Sequence, residues 1–247
     1  NFYSSRMGIL GELEKDELVN RLNRLVNDWN LVDLSRKHIP AIHYIASTAQ
    51  PMPTITGDYS LRMPPNQILK AISLAEEING IAFLDLQIGQ ADLLSEVKRL
   101  QPYLLLPYVH IGIDPEFAMD YGDIPGEVVG SVTAAEINDV VGWLDDLVKT
   151  YELPPKVLII HRFTTGMVEG VNEIEITDNV YPVINMDGWG SPSLKLSTYQ
   201  NVISNDEITL SGFKIFYKND LKPPSNRLVT PAELLQLEPE PIYIQYQ

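Results

Sequence analysis

The sequence predicts a single α/β domain, a (β/α)8 TIM barrel that spans residues 1–247. Short β-rich runs alternate with helical patterns along the chain, which is typical of parallel strands joined by right-handed helical crossovers. Eight such runs are present, as a closed barrel requires, and about 250 residues is the usual length of this fold. Polar residues recur near the C-terminal ends of the runs, where barrel enzymes place their sites. An open doubly wound sheet would show the same alternation and is the alternative.

The predicted strands are short apolar or alternating runs bounded by turn and helix signals. They cover residues 6–11, 39–47, 81–88, 108–116, 156–163, 181–187, 212–218 and 241–247. The first run, with Met7 to Leu10 at its centre, is short and is the weakest of the eight. If it is not a strand, the barrel is incomplete or its first strand lies upstream of Asn1.

Helical patterns fill the intervals between the strands. Apolar residues recur at i, i+3, i+4 and i+7 spacing over residues 18–29, which places them on one helix face. Thr133 opens a later helix, because Glu136 falls three residues on and completes a capping box. Thr230 and Glu233 repeat this motif near the C-terminus.

The composition excludes several functional classes. The net charge of −15 argues against nucleic acid or an anionic membrane as the main partner, since both require clustered Lys and Arg. No run of roughly 18 apolar residues is present, so no membrane span is expected. The chain has no cysteine, which excludes disulfides, thiolate metal sites and a cysteine nucleophile. The sequence begins at Asn1 rather than Met, so a signal or lipid-anchor segment upstream is an expectation, although a sequence boundary would look the same.

Side-chain parity along the predicted strands separates a polar face from an apolar one. The apolar parity fits a helix-covered outer face, so the polar parity should point into the barrel. Burying this many ionisable groups would cost several kcal/mol each unless they were paired, which indicates a functional site. The alternative is a satisfied buried network that only supports the fold. The polar set comprises His43, Ser47, Asp85, Gln87, His110, Asp114, Glu116, His161, Asn185, Asp187, Lys214, Lys218, Tyr243 and Gln245.

Asp114 and Glu116 are the sharpest catalytic candidates. Two residues apart on one strand, they would have Cβ atoms roughly 6–7 Å apart on the same side. Glycoside hydrolysis uses two carboxyl groups about 5–9.5 Å apart, one as acid and one as base or nucleophile. Asp187, on the sixth predicted strand, could supply the second carboxylate instead. In the plainer alternative, Asp114 only caps the turn at Pro115.

Other polar residues of the set are expected to hold substrate or water. Trp189, between two glycines beyond the sixth strand, could stack on a sugar ring or could plug the top of the barrel. The expected substrate-binding residues are His43, Asp85, Gln87, His161, Asn185, Trp189, Lys214 and Gln245.

A metal site is the rival interpretation of the same residues, although the leading expectation includes neither metal nor cofactor. His43, Asp85, Asp114 and His161 are the candidate ligands, and histidine with carboxylate suits Zn, Mn or Fe. No HxH or HExxH spacing supports it, but barrel metallohydrolases recruit ligands from separate strands.

Several segments resemble a family of uncharacterised bacterial proteins that are often described only as hypothetical proteins or lipoproteins. The resemblance runs over nearly the whole chain and implies a secreted or surface-tethered bacterial protein, with no established activity to transfer. The G-x-D-x-E of the fourth strand is also loosely similar to chitinase-like barrels, but Ala118 stands where that family needs its acid. The segments that carry the first resemblance are HIGIDPEF (110–117), PPKVLIIHRFTTGMV (154–168), VINMDGWG (183–190), GFKIFYKND (212–220) and PIYIQYQ (241–247).

The leading functional expectation is therefore an extracellular or cell-surface hydrolase that acts on a carbohydrate polymer or glycoconjugate. Asp114 and Glu116 would be its acid/base pair, with Asp187 as a third catalytic carboxylate. The two alternatives are a metal-dependent hydrolase that uses the His/Asp set, and a non-catalytic saccharide-binding barrel, because a fold does not imply an activity.

Overall fold

The computed structural model describes residues 2–207 and 210–247. The strands in this part of the chain are β1 (Ala41–Ala49), β2 (Ser60–Arg62), β3 (Ile81–Leu86), β4 (Val109–Ile113), β5 (Val132–Thr133), β6 (Lys156–Arg162), β7 (Val168–Glu169), β8 (Val180–Met186), β9 (Ser211–Ile215) and β10 (Tyr243–Tyr246). The α-helices are α1 (Lys15–Val32), α2 (Pro65–Glu77), α3 (Leu93–Arg99), α4 (Gln101–Leu104), α5 (Ala134–Tyr151), α6 (Pro192–Tyr199) and α7 (Pro231–Leu234).

One curled sheet organises the molecule. Its strand order is β10-β9-β8-β6-β4-β3-β1-β2, and β5 and β7 form a separate two-stranded pair. Every neighbouring pair in the large sheet is parallel except β1 and β2, which are antiparallel. The sheet curls through 202° and stays open, so it is a half-barrel.

The prediction of a closed (β/α)8 barrel is therefore wrong, and the reason lies in the first predicted strand. Residues 6–11 do not extend; they fall in two 3₁₀ turns, Ser5–Met7 and Ile9–Gly11, on either side of Gly8 at φ 101°. The other seven predicted strands all form and pair in the order that a barrel requires. In the described residues no strand joins β10 to β1, and we call the gap between these two strands the seam.

Helix boundaries follow the capping signals. Both reciprocal hydrogen bonds of the predicted capping box at Thr133 are present, with the Glu136 N–H donating to the Thr133 hydroxyl and the Thr133 N–H donating back to Glu136. The second box, at Thr230 and Glu233, is present as well. None of the described helices is both long and apolar enough to cross a bilayer.

The hydrophobic core lies between the helices and the convex face of the sheet. The strand residues predicted to face outward are all buried in this one cluster: Ile42, Leu84, Leu86, Ile111, Ile113, Ile160, Ile184 and Met186. A second, small cluster of Phe83, Ile159 and Val183 belongs to the opposite parity and fills the lower part of the concave face. Burial of each such side chain contributes about 1.5–3 kcal/mol, so the two clusters fix the curl of the sheet that positions the polar residues.

Candidate functional site

Two histidines and one aspartate meet on the concave face, above the small apolar cluster. His43 comes from β1, Asp85 from β3 and His161 from β6. The Nε2 atoms of His43 and His161 lie 3.4 Å and 3.5 Å from the same oxygen, Oδ2 of Asp85. One ligand atom from each residue lies within 4.8 Å of the others, and all three side chains are almost completely buried.

Gly112 explains how Asp85 reaches a histidine two strands away. Asp85 pairs with Gly112 in β4, which pairs with Ile159 in β6, two residues before His161. A Cβ atom at Gly112 would collide with Oδ1 of Asp85 and lie 3.2 Å from Cε1 of His43. The carboxylate therefore lies over β4 only because this position has no side chain.

The other ring nitrogen of each histidine has its own partner. The Nδ1 atom of His43 lies 2.8 Å from the hydroxyl of Tyr243, across the seam on β10. The Nδ1 atom of His161 lies 3.2 Å from Oδ2 of Asp187, at the end of β8. A carboxylate only accepts hydrogen bonds, so Asp187 places a proton on Nδ1 of His161. Both rings are thus held with Nε2 directed at Asp85.

The electrostatics of the cluster place the imidazolium on one histidine. Burial alone would lower the pKa of His161, but Asp85 and Asp187 outweigh it and raise this pKa to about 10. Burial lowers the pKa of His43, and the charge of Asp85 offsets this only in part. Burial would raise the pKa of Asp85, yet the two histidines hold it well below its ordinary value. His161 is therefore the cation that balances Asp85 when no metal is bound.

Asp114 is a second buried carboxyl group beside this cluster. Its Oδ2 accepts a hydrogen bond of 3.1 Å from Gln87, whose own amide oxygen accepts one from the backbone of Ala49. Its Oδ1 has no hydrogen-bond partner in the described part of the chain. Burial, reinforced by the charges of Asp187 and Asp85, raises the pKa of Asp114 to about 7. This group can donate or accept a proton near neutral pH.

The predicted strand geometry of Asp114 and Glu116 is wrong. β4 ends at Ile113, and Glu116 lies in the 3₁₀ turn Pro115–Phe117. The spacing of two residues on one strand therefore does not apply to the pair. Glu116 is less buried than Asp114, and burial together with the charge of Asp187 raises its pKa. The Asp114 side chain makes no capping hydrogen bond to the turn, so the plainer alternative is wrong too.

The rim of the site contains both charged and aromatic groups. Lys214, on β9, lies 4.0 Å from Asp187. Asn185 donates a 3.0 Å hydrogen bond to Gln245 and so links β8 to β10. Trp189 is 55% exposed, with the ammonium group of Lys222 5.0 Å from its ring centre, so it stands open to a ligand and does not plug the barrel.

Three members of the polar set lie outside the site. A bulge in β1 brings Ser47 into register with Leu86, which faces the core, so the assignment of Ser47 to the inward parity is wrong. The Nδ1 atom of His110 accepts a 3.1 Å hydrogen bond from the backbone of Val157, and burial lowers the pKa of this histidine to about 4, which indicates a structural role. Lys218 lies beyond the end of β9 and forms an exposed ion pair with Glu12. Its assignment to the inward parity of a strand is therefore wrong.

Sequence reasoning missed a buried ion pair that supports the rim. Lys195 of α6 lies 3.0 Å from Asp220 and donates to the backbone oxygens of Gly188 and Lys214, at the ends of β8 and β9. Asp220 accepts from the backbone of Gly190. Both charges are fully buried, and nothing in local spacing distinguishes them from surface charges.

A cavity of about 900 Å³ opens onto the site. It exposes most of the predicted site residues to a ligand, while His161 and Asn185 are buried and contact the lining carboxylates and amides. The predicted site residues that line it are His43, Asp85, Gln87, Asp114, Glu116, Asp187, Trp189, Lys214 and Gln245.

Comparison with known proteins found no match to a family model, a curated protein or a solved structure. The resemblance to uncharacterised bacterial lipoproteins, and the extracellular location that it implies, therefore stay predictions. The geometry of the site is the basis for a function.

Proposed function

We propose that the protein is a metal-dependent hydrolase whose divalent metal ion is held by His43, Asp85 and His161. One observation carries the proposal: two buried Nε2 atoms converge on one carboxylate oxygen and neither has a hydrogen-bond partner in the described part of the chain. A nitrogen lone pair that faces a carboxylate is repelled unless a proton or a metal ion lies between them.

The separations of the ligand atoms support a transition metal. Ligands about 2.0–2.1 Å from a tetrahedral metal lie roughly 3.3–3.4 Å from one another. The distances from the histidine nitrogens to Asp85 are 3.4 Å and 3.5 Å. Two imidazoles and a carboxylate suit Zn, Mn or Fe better than Mg or Ca, which prefer oxygen ligands.

The partners of the ligands also fit a metal centre. Histidine ligands usually donate their second ring N–H to a carboxylate or another polar group, which fixes the tautomer and the ring orientation. Asp187 fills this role for His161, and the Tyr243 hydroxyl fills it for His43. Three protein ligands leave a fourth position open for water, which is typical of catalytic rather than structural zinc sites.

The remaining residues of the site support hydrolysis. A bound metal ion would supply a water of lowered pKa. Asp114, a buried carboxyl group beside the cluster whose Oδ1 has no hydrogen-bond partner in the described residues, would take a proton from that water and pass it to the leaving group. Lys214 is only slightly exposed beside Asp187 and is placed to bind an anionic or polar part of the substrate.

Elemental analysis of protein purified without chelators tests the proposal. We expect about one transition-metal ion per chain in the native protein, and none after His43→Ala or His161→Ala. His38→Ala is the matched control, because His38 contacts Asn30 near the C-terminal end of α1 and lies outside the cluster. A native protein that neither contains nor takes up Zn, Mn or Fe would refute the metal centre.

A metal-free glycoside hydrolase is the second candidate function. It is favoured by the raised pKa of Asp114, which suits a general acid, and by the exposed ring of Trp189 at the cavity mouth, which suits a sugar. Glu116 or Asp187 would be its base or nucleophile. Hydrolysis of a polysaccharide by metal-free protein, abolished by Asp114→Asn, would support this candidate and exclude the first.

A further inference from the structure

The cavity at the site extends through the seam to the other side of the sheet. It touches Tyr243 and Gln245 of β10, which face inward, and Ile244 and Tyr246, which face outward. Successive strand residues point to opposite faces, so a cavity that meets both sets must pass the edge of the strand. One continuous space therefore joins the polar cluster to the region between the seam and α1.

The far part of this space has an apolar wall on α1, beside charged lining residues that include Arg21 and Lys37. Leu22, Leu25 and Val26 of α1 line the cavity and are only partly buried, although they belong to the apolar face of the helix. Trp29 lies one turn further along the same face and donates a 3.0 Å hydrogen bond to Tyr246. The helix thus lies over the seam, and Leu22 and Leu25, which also pack against the core, form part of the cavity wall.

We propose that the substrate is amphipathic, with a polar head at the metal site and an unbranched acyl or alkyl chain that passes through the seam and lies against α1. The inference rests on the proposed function, because that function places the hydrolysed bond at the polar end. Removal of apolar surface from water drives the binding of such a chain. A volume of about 900 Å³ lies in the range of small-molecule sites, roughly 300–1,000 Å³.

Calorimetric titration with a series of 1-alkanols, from butanol to decanol, tests the chain site independently of catalysis. The titration uses metal-free protein, so the result does not depend on the metal centre. We expect the affinity to rise about two- to fourfold for each added methylene until the space is filled. Affinity that does not change with chain length, or no binding of decanol, would overturn the proposal.

A blocking substitution locates the chain. Leu25→Trp, and Leu22→Trp one turn earlier, should fill the space and abolish the dependence on chain length, with circular dichroism to confirm folding. Leu31→Trp is the matched control, because Leu31 is on the same helix and 76% exposed. If the blocking variants and the control bind decanol equally, the chain does not lie against α1.

Turnover then separates this inference from the proposed function. In metal-loaded protein, kcat/KM for p-nitrophenyl esters should rise with acyl length from acetate to decanoate, and Leu25→Trp should remove the rise. Alkanol binding without metal uptake would refute the metal-dependent hydrolase and leave the chain site standing. Metal uptake and turnover with no dependence on chain length would refute the chain site and leave the metal-dependent hydrolase standing.

Discussion

The substitution Gly112→Ala tests the metal site through a residue that does not itself bind the metal ion. The added Cβ would collide with Oδ1 of Asp85 and lie 3.2 Å from its Cγ. Relief requires the carboxylate to move by roughly half an ångström or more, beyond the ~0.2 Å within which metal–ligand distances vary. The backbone of β4 can stay in place, so we expect a modest loss of stability, about 1 kcal/mol, at the low end of overpacking costs.

Metal affinity should fall as well. Loss of ligand geometry at Asp85 should weaken Zn²⁺ binding at least about tenfold, comparable to the effect of disturbing a ligand's partner. Competition with a chromophoric chelator measures the affinity, and urea unfolding measures the stability. Gly142→Ala is the control: its Cβ meets nothing within 4 Å in α5, so it should leave binding unchanged and stabilise the helix by about 0.5–1 kcal/mol. Unchanged Zn²⁺ affinity in a folded Gly112→Ala protein would refute the placement of Asp85 as a ligand.

Three further predictions concern the surroundings of the cluster. The folded-state pKa of Asp114 is raised to about 7 from 3.8, so its contribution to stability is present below about pH 3.8 and is lost as the pH rises through 7. Urea unfolding of metal-free protein should therefore show the Asp114→Asn variant gaining about 2 kcal/mol in stability relative to wild type between pH 5 and 7. Parallel pH dependences of the two proteins would contradict this. Lys195→Met leaves Asp220 buried and unpaired and should cost about 3–5 kcal/mol in the same assay, a loss that the added change Asp220→Asn should partly restore. Tyr243→Phe removes the hydroxyl that orients the β1 histidine and should weaken Zn²⁺ binding about 10- to 100-fold, whereas Tyr246→Phe should not; equal effects would count against the orienting role.

Strand parity predicted much of the site, because it depends only on local geometry. Asp85 and His161 lie on different strands, yet both were assigned to the inward face from alternation alone, and both point there. Parity could not show that they touch, since this depends on the register of β3, β4 and β6 and on the missing side chain at Gly112. The sequence predicted four candidate ligands, and the structure groups His43, Asp85 and His161 within 4.8 Å of one another without Asp114.

The closed barrel could not be excluded from local pattern. Residues 6–11 have a strand-like composition, and only tertiary structure decides between extension and the two 3₁₀ turns that they adopt. The predicted end of β4, at residue 116, is wrong for a related reason. Pro115 follows Asp114 and cannot donate a ladder hydrogen bond, so the chain leaves the sheet after Ile113 and Glu116 enters a turn.

The buried polar atoms without hydrogen-bond partners are the strongest physical argument that the polar residues on the concave face bind a ligand. Six buried polar atoms of the site have no hydrogen-bond partner in the described part of the chain: Nε2 of His43, Nε2 of His161, and Oδ1 of Asp85, Asp114, Asn185 and Asp187. Each such group costs about 1–3 kcal/mol, and native proteins are stable by only about 5–15 kcal/mol in total. A sheet that needed these residues only for folding would be more stable with apolar side chains, as in the layer below, where Phe83, Ile159 and Val183 pack on the same face. Six of the twelve buried side-chain atoms that lack a hydrogen-bond partner in the described residues belong to this one site, and a bound cation would offset part of their cost.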